Sequence, residues 1–267
     1  MTKRSLRIAI DIVILCFTPL LYNSRVLSLA FHEIAGLAVL ILVGVHLILN
    51  WKWVTGVVTR WLKRCLPFKT RLTYILDMVL LGTFLFSGVS GLFISRVLIS
   101  GLRSPLLRNA HIFSAALALL LFGLHFGLHV NALAGAFKRL LPFSPRTKKI
   151  LGLLVTVAIV VLGIASILTS SFLNWLTLPW NGTTGTGRHA LVNGNQTTTQ
   201  ERIGQGRRQG QGLRRNADPR RHFQMEENAF SKAMMTFITY FSIVGVLAVA
   251  THFLFTRYHS SLKTLRA

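Results

Sequence analysis

Four histidines stand in apolar surroundings at one repeated spacing. His32 and His46 bound the stretch HEIAGLAVLILVGVH, and His111 and His125 bound HIFSAALALLLFGLH, so each copy reads His, thirteen residues, His. Each copy also has a glycine two positions before its second histidine, Gly44 and Gly123. On an α-helix fourteen residues turn through about 1400°, roughly 40° short of four turns, and rise about 21 Å. Both imidazoles of a copy therefore face nearly the same way, one near each end of a membrane-length helix. Polar groups at such depth are costly unless something satisfies them, and they tend to mark function. Haem iron is such a partner, since it takes one imidazole from each side and brings its own four nitrogens. Two ligands per level would leave zinc or copper under-coordinated. The competing reading is that each histidine bonds a carbonyl or serine of a neighbouring helix; repetition of one spacing argues against it as the whole explanation. Gly44 and Gly123 are expected to let a flat macrocycle approach each helix closely.

These imidazoles need helices to position them. Of 267 residues 52% are apolar, which makes a membrane protein the starting class. Six windows are long and apolar enough to cross or nearly cross a bilayer: roughly 8–23, 31–49, 73–95, 109–131, 150–172 and 233–255. The opening MTKRSLR could begin a signal peptide, but Asp11 interrupts the apolar run and no small-residue cleavage site follows, so a retained span is expected. The expected fold is an all-α polytopic membrane bundle of about six transmembrane helices, the first four forming a dihaem core. In such a chain the second and fourth spans run parallel, which pairs His32 with His111 at one level and His46 with His125 at the other. Cys16 and Cys65 lie far apart and neither belongs to a C-x-x-C pair, so any haem is held without covalent attachment, as haem b. There is no nucleotide-binding glycine loop, catalytic triad pattern or carboxylate pair, and seven acids leave hydrolytic chemistry few candidates.

Net charge is +23. In a soluble chain that would suggest nucleic acid; here no nucleic-acid partner is expected, because the placement of the charges speaks to topology. Segments 1–7, 50–72, 132–149 and 256–267 hold 17 of the 30 Lys and Arg, and the two short loops on the opposite side hold four, Arg25, Arg96, Arg103 and Arg108. Short cationic loops resist translocation, so both termini are expected in the cytoplasm, the bilayer being a prokaryotic cytoplasmic membrane. The remaining nine lie in the polar stretch 173–232. Rich in Gly, Gln, Thr and Arg, this stretch is expected to be a flexible extracytoplasmic loop. Its arginine pairs at 207/208, 214/215 and 220/221 could attract an acidic redox protein, docking on segment 182–228. Four regions are expected: a dihaem membrane domain over 1–135, a cytoplasmic loop and fifth span over 136–172, the basic loop over 173–232, and the sixth span with a cytoplasmic tail over 233–267.

Other residues divide between functional and ordinary readings. His129, four residues after His125, is expected to bond a propionate, lipid or quinone rather than iron. Arg96, Arg103, Arg108, Lys52 and Arg71 could pair with haem propionates or simply snorkel at the interface. Asp11 and Asp77, each early in an odd-numbered span, could relay protons or bond quinone, or could pair with Arg7 and Arg71. His252 is expected to be structural, His189 and His222 to be solvated, and Trp51, Trp53 and Trp61 to form an interfacial belt.

The segments FHEIAGLAVLILVGVHLILNWKW, FSGVSGLFISR and HIFSAALALLLFGLHFGLHV resemble the flavinylation-associated cytochrome family. That family is similar in turn to the bis-histidine dihaem cytochromes b of respiratory complexes. The resemblance covers about residues 5–135, and it implies electron exchange with extracytoplasmic proteins that carry covalently attached flavin. The expected function is electron transfer across the membrane through two b haems. The expected partners are quinol or a cytoplasmic reductase on the inner side and a flavoprotein or other extracytoplasmic redox protein on the outer, electrons passing to or from the latter. Two alternatives remain open. One is a quinone-reactive anchor subunit of an oxidoreductase complex, and the other a haem-free membrane scaffold or transporter.

Overall fold

The computed structural model describes residues 3–23, 27–62, 68–99, 101–102, 104–140, 144–180 and 219–264. Among these there is no strand, and the chain runs through helices α1 (Lys3–Phe17), a 3-10 turn (Thr18–Tyr22), α2 (Leu29–Leu49), α3 (Trp51–Leu62), α4 (Phe68–Phe93), α5 (Pro105–Leu140), α6 (Pro145–Thr169), α7 (Phe172–Leu176) and α8 (Pro219–Thr264). Six segments are long and apolar enough to cross a membrane: Ser5–Tyr22, Leu29–Leu49, Thr70–Phe93, Pro105–Val130, Pro145–Thr169 and Ala229–Thr256. The protein is thus an all-helical integral membrane protein, because only structures that satisfy their own backbone groups can span lipid.

The ends of these helices follow from local chemistry. Ser28 caps α2, its Oγ accepting from Phe31 N at 3.1 Å, and it has a φ of 110° where the chain turns into the helix. Asn50 closes α2 by donating its side-chain amide to His46 O at 2.9 Å. It leads directly into α3, whose sequence WKWVTGVVTRWL places Trp, Val and Leu on one half of the helix and Lys, Thr and Arg on the other, as in helices that lie in the membrane interface. This helix occupies part of segment 50–72, which the sequence offers only as a basic loop. Likewise α7 and the first turns of α8 fall within the expected flexible loop 173–232, and α8 starts at Pro219. The rest of that loop, 181–218 with most of the docking segment, lies outside the described residues.

α5 is the central helix, with Ala116 and Leu119 fully buried. It packs against α4 on one side and α8 on the other, and α8 packs in turn on α6. Lipid offers helices no hydrophobic incentive to associate, so close approach over small residues matters more. The α5–α8 contact is of this kind. A Cβ on Gly123 would lie 2.7 Å from Leu247 Cβ, and one on Gly127 2.5 Å from Ala248 O. At the α6–α8 contact a Cβ on Gly163 would lie 2.6 Å from Ser242 O, beside a Ser166–Ser242 hydroxyl bond of 2.9 Å. By contrast α2, packed on α1 and α4, shares no extensive contact with α5. The two histidine-bearing helices therefore stand apart.

Replacing Gly163 by alanine is expected to push α6 from α8 and to destabilise the protein by about 1–3 kcal/mol, the usual cost of overpacking. Gly152→Ala on the same helix, where a Cβ meets nothing within 4 Å, should be neutral or slightly stabilising. Thermal unfolding of the two variants in detergent compares them.

Candidate functional site

The structure brings His32 and His111 together. Their ring centres are 6.2 Å apart with planes at 84°. His32 Nδ1 lies 2.8 Å from Leu21 O, in the 3-10 turn. His111 Nδ1 lies 2.9 Å from Ser87 O on α4 and 3.2 Å from Ser90 Oγ. A carbonyl can only accept, so each Nδ1 carries the proton and donates it. The ring of His111 rests on α4 at Gly91, where a Cβ would come within 3.1 Å of its Cε1. A side chain here would be tight against the ring, which would have to give by a few tenths of an ångström.

At the other level, the Nδ1 of each histidine faces a carboxylate. His46 Nδ1 is 2.6 Å from Asp11 Oδ1 on α1, and His125 Nδ1 is 2.7 Å from Asp77 Oδ1 on α4. Neither proton relay nor pairing with Arg7 and Arg71 had singled out these partners. The ring of His129 lies tilted against that of His125, with centres 4.8 Å apart, and ligand atoms of Asp77, His125 and His129 all lie within 4.8 Å of one another. Asp77, His125 and His129 thus gather in one group, and His46 with Asp11 forms a second pair. Among the described residues the ring contact at this level is His125 with His129, and none joins His46 to His125.

All four imidazoles therefore have Nδ1 anchored, and among the described residues no hydrogen bond engages any Nε2. That is the donor set of a metal-ligating histidine, whose second nitrogen is held by a carbonyl or carboxylate that fixes the ring. His32 and His111, with ring centres 6.2 Å apart, could hold one haem iron between them, and His46 and His125 are the candidates to hold a second.

One of the two glycines needs correction. Gly123 faces α8, not a cofactor space, and its small size is explained by Leu247 and Val244 O. Position i−2 on a helix lies about 200° from position i, so a glycine two residues before a ligand points away from it. Gly44 has open space, with nothing within 4 Å of an added Cβ.

Glu33, which the spacing argument passed over, fixes the other end of α2. Its carboxylate accepts from Ser95 Oγ at 2.7 Å, Arg96 N at 3.0 Å, Val97 N at 3.0 Å and Leu98 N at 3.2 Å. Its signal in the sequence was an acid inside an apolar span of a chain with few acids. Of the candidate propionate partners, Arg96 meets Glu33 through its backbone, Lys52, Arg71 and Arg108 are exposed, and Arg103 lies outside the described residues. The ring of His252 lies against Phe253. Trp51 and Trp53 are exposed, as an interfacial belt requires. The side chains of Trp61 and His222, and His189 altogether, lie outside the description.

Comparison with protein-family models, with curated proteins and with solved structures finds no match to this chain. Function therefore rests on the geometry. Glu33→Ala should cost about 1–2 kcal/mol, since three backbone N–H groups and a hydroxyl lose a charged acceptor; Glu33→Gln should cost less, both read by thermal unfolding.

Proposed function

We propose that the chain is a b-type membrane cytochrome that carries electrons across the bilayer through two haems, one held by His32 and His111 and the other by His46 and His125. The observation that supports it most is the shared anchoring of all four imidazoles by Nδ1, which leaves four Nε2 lone pairs on two helices that share no extensive contact. Bound haem would supply reversible one-electron chemistry at each level. The protein's own part is to fix ring orientation, set the spacing and keep the surroundings apolar. Leu21 O and Ser87 O orient one pair, Asp11 and Asp77 the other. His129 stands where it could bond a propionate or a quinone. With 17 basic residues on the α3 side and four in the short opposite loops, the His46/His125 level faces the cytoplasm. The donor there is a quinol or a reductase, and the partner on the far side is a flavoprotein or other redox protein, which the resemblance to the flavinylation-associated cytochromes supports.

A second reading has an observation of its own. Asp77, His125 and His129 converge within 4.8 Å, so a divalent transition metal could bind at that level in a haem-free protein, since imidazole and carboxylate suit zinc.

The reduced-minus-oxidised absorption spectrum of the purified protein decides between them. Two haems per chain are expected, with His32→Ala, His111→Ala and their double variant each retaining about half, because removing a second ligand from an empty site changes nothing further. His32→Ala combined with His125→Ala should lose all haem. Absence of haem bands, with stoichiometric zinc or copper that His129→Ala removes, would establish the second reading instead. A reporter active only in the cytoplasm should work when fused near Arg64 and fail at Arg103; the reverse result would invert the orientation.

A further inference from the structure

The two histidine levels differ in what anchors them. At the His32/His111 level both Nδ1–H groups donate to neutral carbonyls, at 2.8 and 2.9 Å. At the His46/His125 level both donate to carboxylates, at 2.6 and 2.7 Å. Glu33, the acid next to His32, touches neither ring; its oxygens are taken by Ser95 Oγ and the N–H groups of Arg96, Val97 and Leu98.

We propose that Asp11 and Asp77 hold the haem at the His46/His125 level at a lower reduction potential than the one at the His32/His111 level, so that electrons run from the basic end of the bundle to the opposite end. This rests on the two-haem reading above. Two effects act with the same sign. A carboxylate that accepts the Nδ1 proton draws it away from the ring, which makes Nε2 a stronger donor and favours the oxidised metal. Two fixed negative charges beside the site also favour the more positive, oxidised centre, the more so where water is excluded. Neutral carbonyls do neither to the same degree. With both haems bound, an electron would pass from the His46/His125 level to the His32/His111 level with no bond made and no proton moved; a quinol or reductase would supply it at the basic end, and an extracytoplasmic redox protein would accept it at the other.

Asp77 and Asp11 differ in surroundings, which gives the proposal an internal ordering. The Asp77 side chain is 14% exposed and that of Asp11 47%, so the charge of Asp77 is the less screened and its removal should matter more.

The test is an optical redox titration of the full-length purified protein. Two reduction steps are expected. Asp77→Asn should move the lower step to higher potential and leave the upper one in place. Asp11→Asn should move the same step by less, and Asp77→Glu, which keeps the charge, should leave it near its original position. Movement of the upper step alone, or of neither step in both Asn variants, overturns the proposal while the haems themselves remain. Should Asp77→Asn fail to retain the second haem, the direction of the Asp11→Asn shift decides. A wild-type protein without haem removes the two-haem reading itself, a result distinct from an unmoved potential.

Discussion

An imidazole inside a membrane helix presents two nitrogens, and this fold fixes the same one at all four positions. The Nδ1 bonds do more than satisfy a polar atom. Each reaches from an even-numbered span to the span before it: Leu21 O and Asp11 hold the two histidines of α2, and Ser87 O and Asp77 hold those of α5. The two acceptors lie ten residues apart in both cases, Asp11 to Leu21 and Asp77 to Ser87. The surrounding sequences agree as well, IDIVIL at 10–15 against LDMVLL at 76–81. The repeating unit is therefore a helical hairpin and not a single helix. Three of the seven acids of the chain lie in membrane spans, Asp11, Glu33 and Asp77, and every one bonds a histidine or the segment beside one, which is where an acid in lipid can be satisfied.

Much of this was legible before the structure. Hydropathy placed six spans within a few residues of their positions, because span length is set by bilayer thickness. The contact of His32 with His111 followed from helical rise and the parallel run of alternate spans. What periodicity could not supply was the identity of neighbours. Asp11 and Asp77 were noticed as acids in odd-numbered spans, yet one helix read alone says nothing about which side chain meets it, and their histidine partners lie 35 and 48 residues away. Gly123 was misread for a geometric reason, since two residues turn a helix more than half way round. The glycine beside an imidazole is Gly91, on a different span from the ring it supports. Charge counting read segment 50–72 as a loop, and only the order of Trp, Val, Lys and Thr within it marks the interfacial α3.

The two faces of α5 divide the work of the fold. Gly123 and Gly127 straddle His125 at two residues on either side, and both therefore point roughly opposite to its ring. They press α5 onto α8 at Leu247, Ala248 and Thr251, while the ring turns to Asp77 on α4. Tyr22 ties the 3-10 turn to the same assembly, donating its hydroxyl to Ala115 O at 2.8 Å, stacking with Trp175 and lying tilted against Tyr240. α4, α5, α6 and α8 thus make one closely packed unit.

α2 belongs to this unit less firmly, and there the polar contacts carry the register. Its packing on α4 includes Leu40 against Gly88, where an added Cβ would come within 2.8 Å, a contact of side chain over backbone that tolerates some sliding. Glu33 does not tolerate it. One residue from His32, and so about 100° round the helix, its carboxylate is held by four donors in the turn that follows α4. Rotation or translation of α2 that moved His32 relative to His111 would pull Glu33 out of that turn. At the other end Asp11 restrains His46 in the same way. Polar anchors at both ends of α2 thus fix its register against α1 and against the turn after α4, although its contact with α5 is slight.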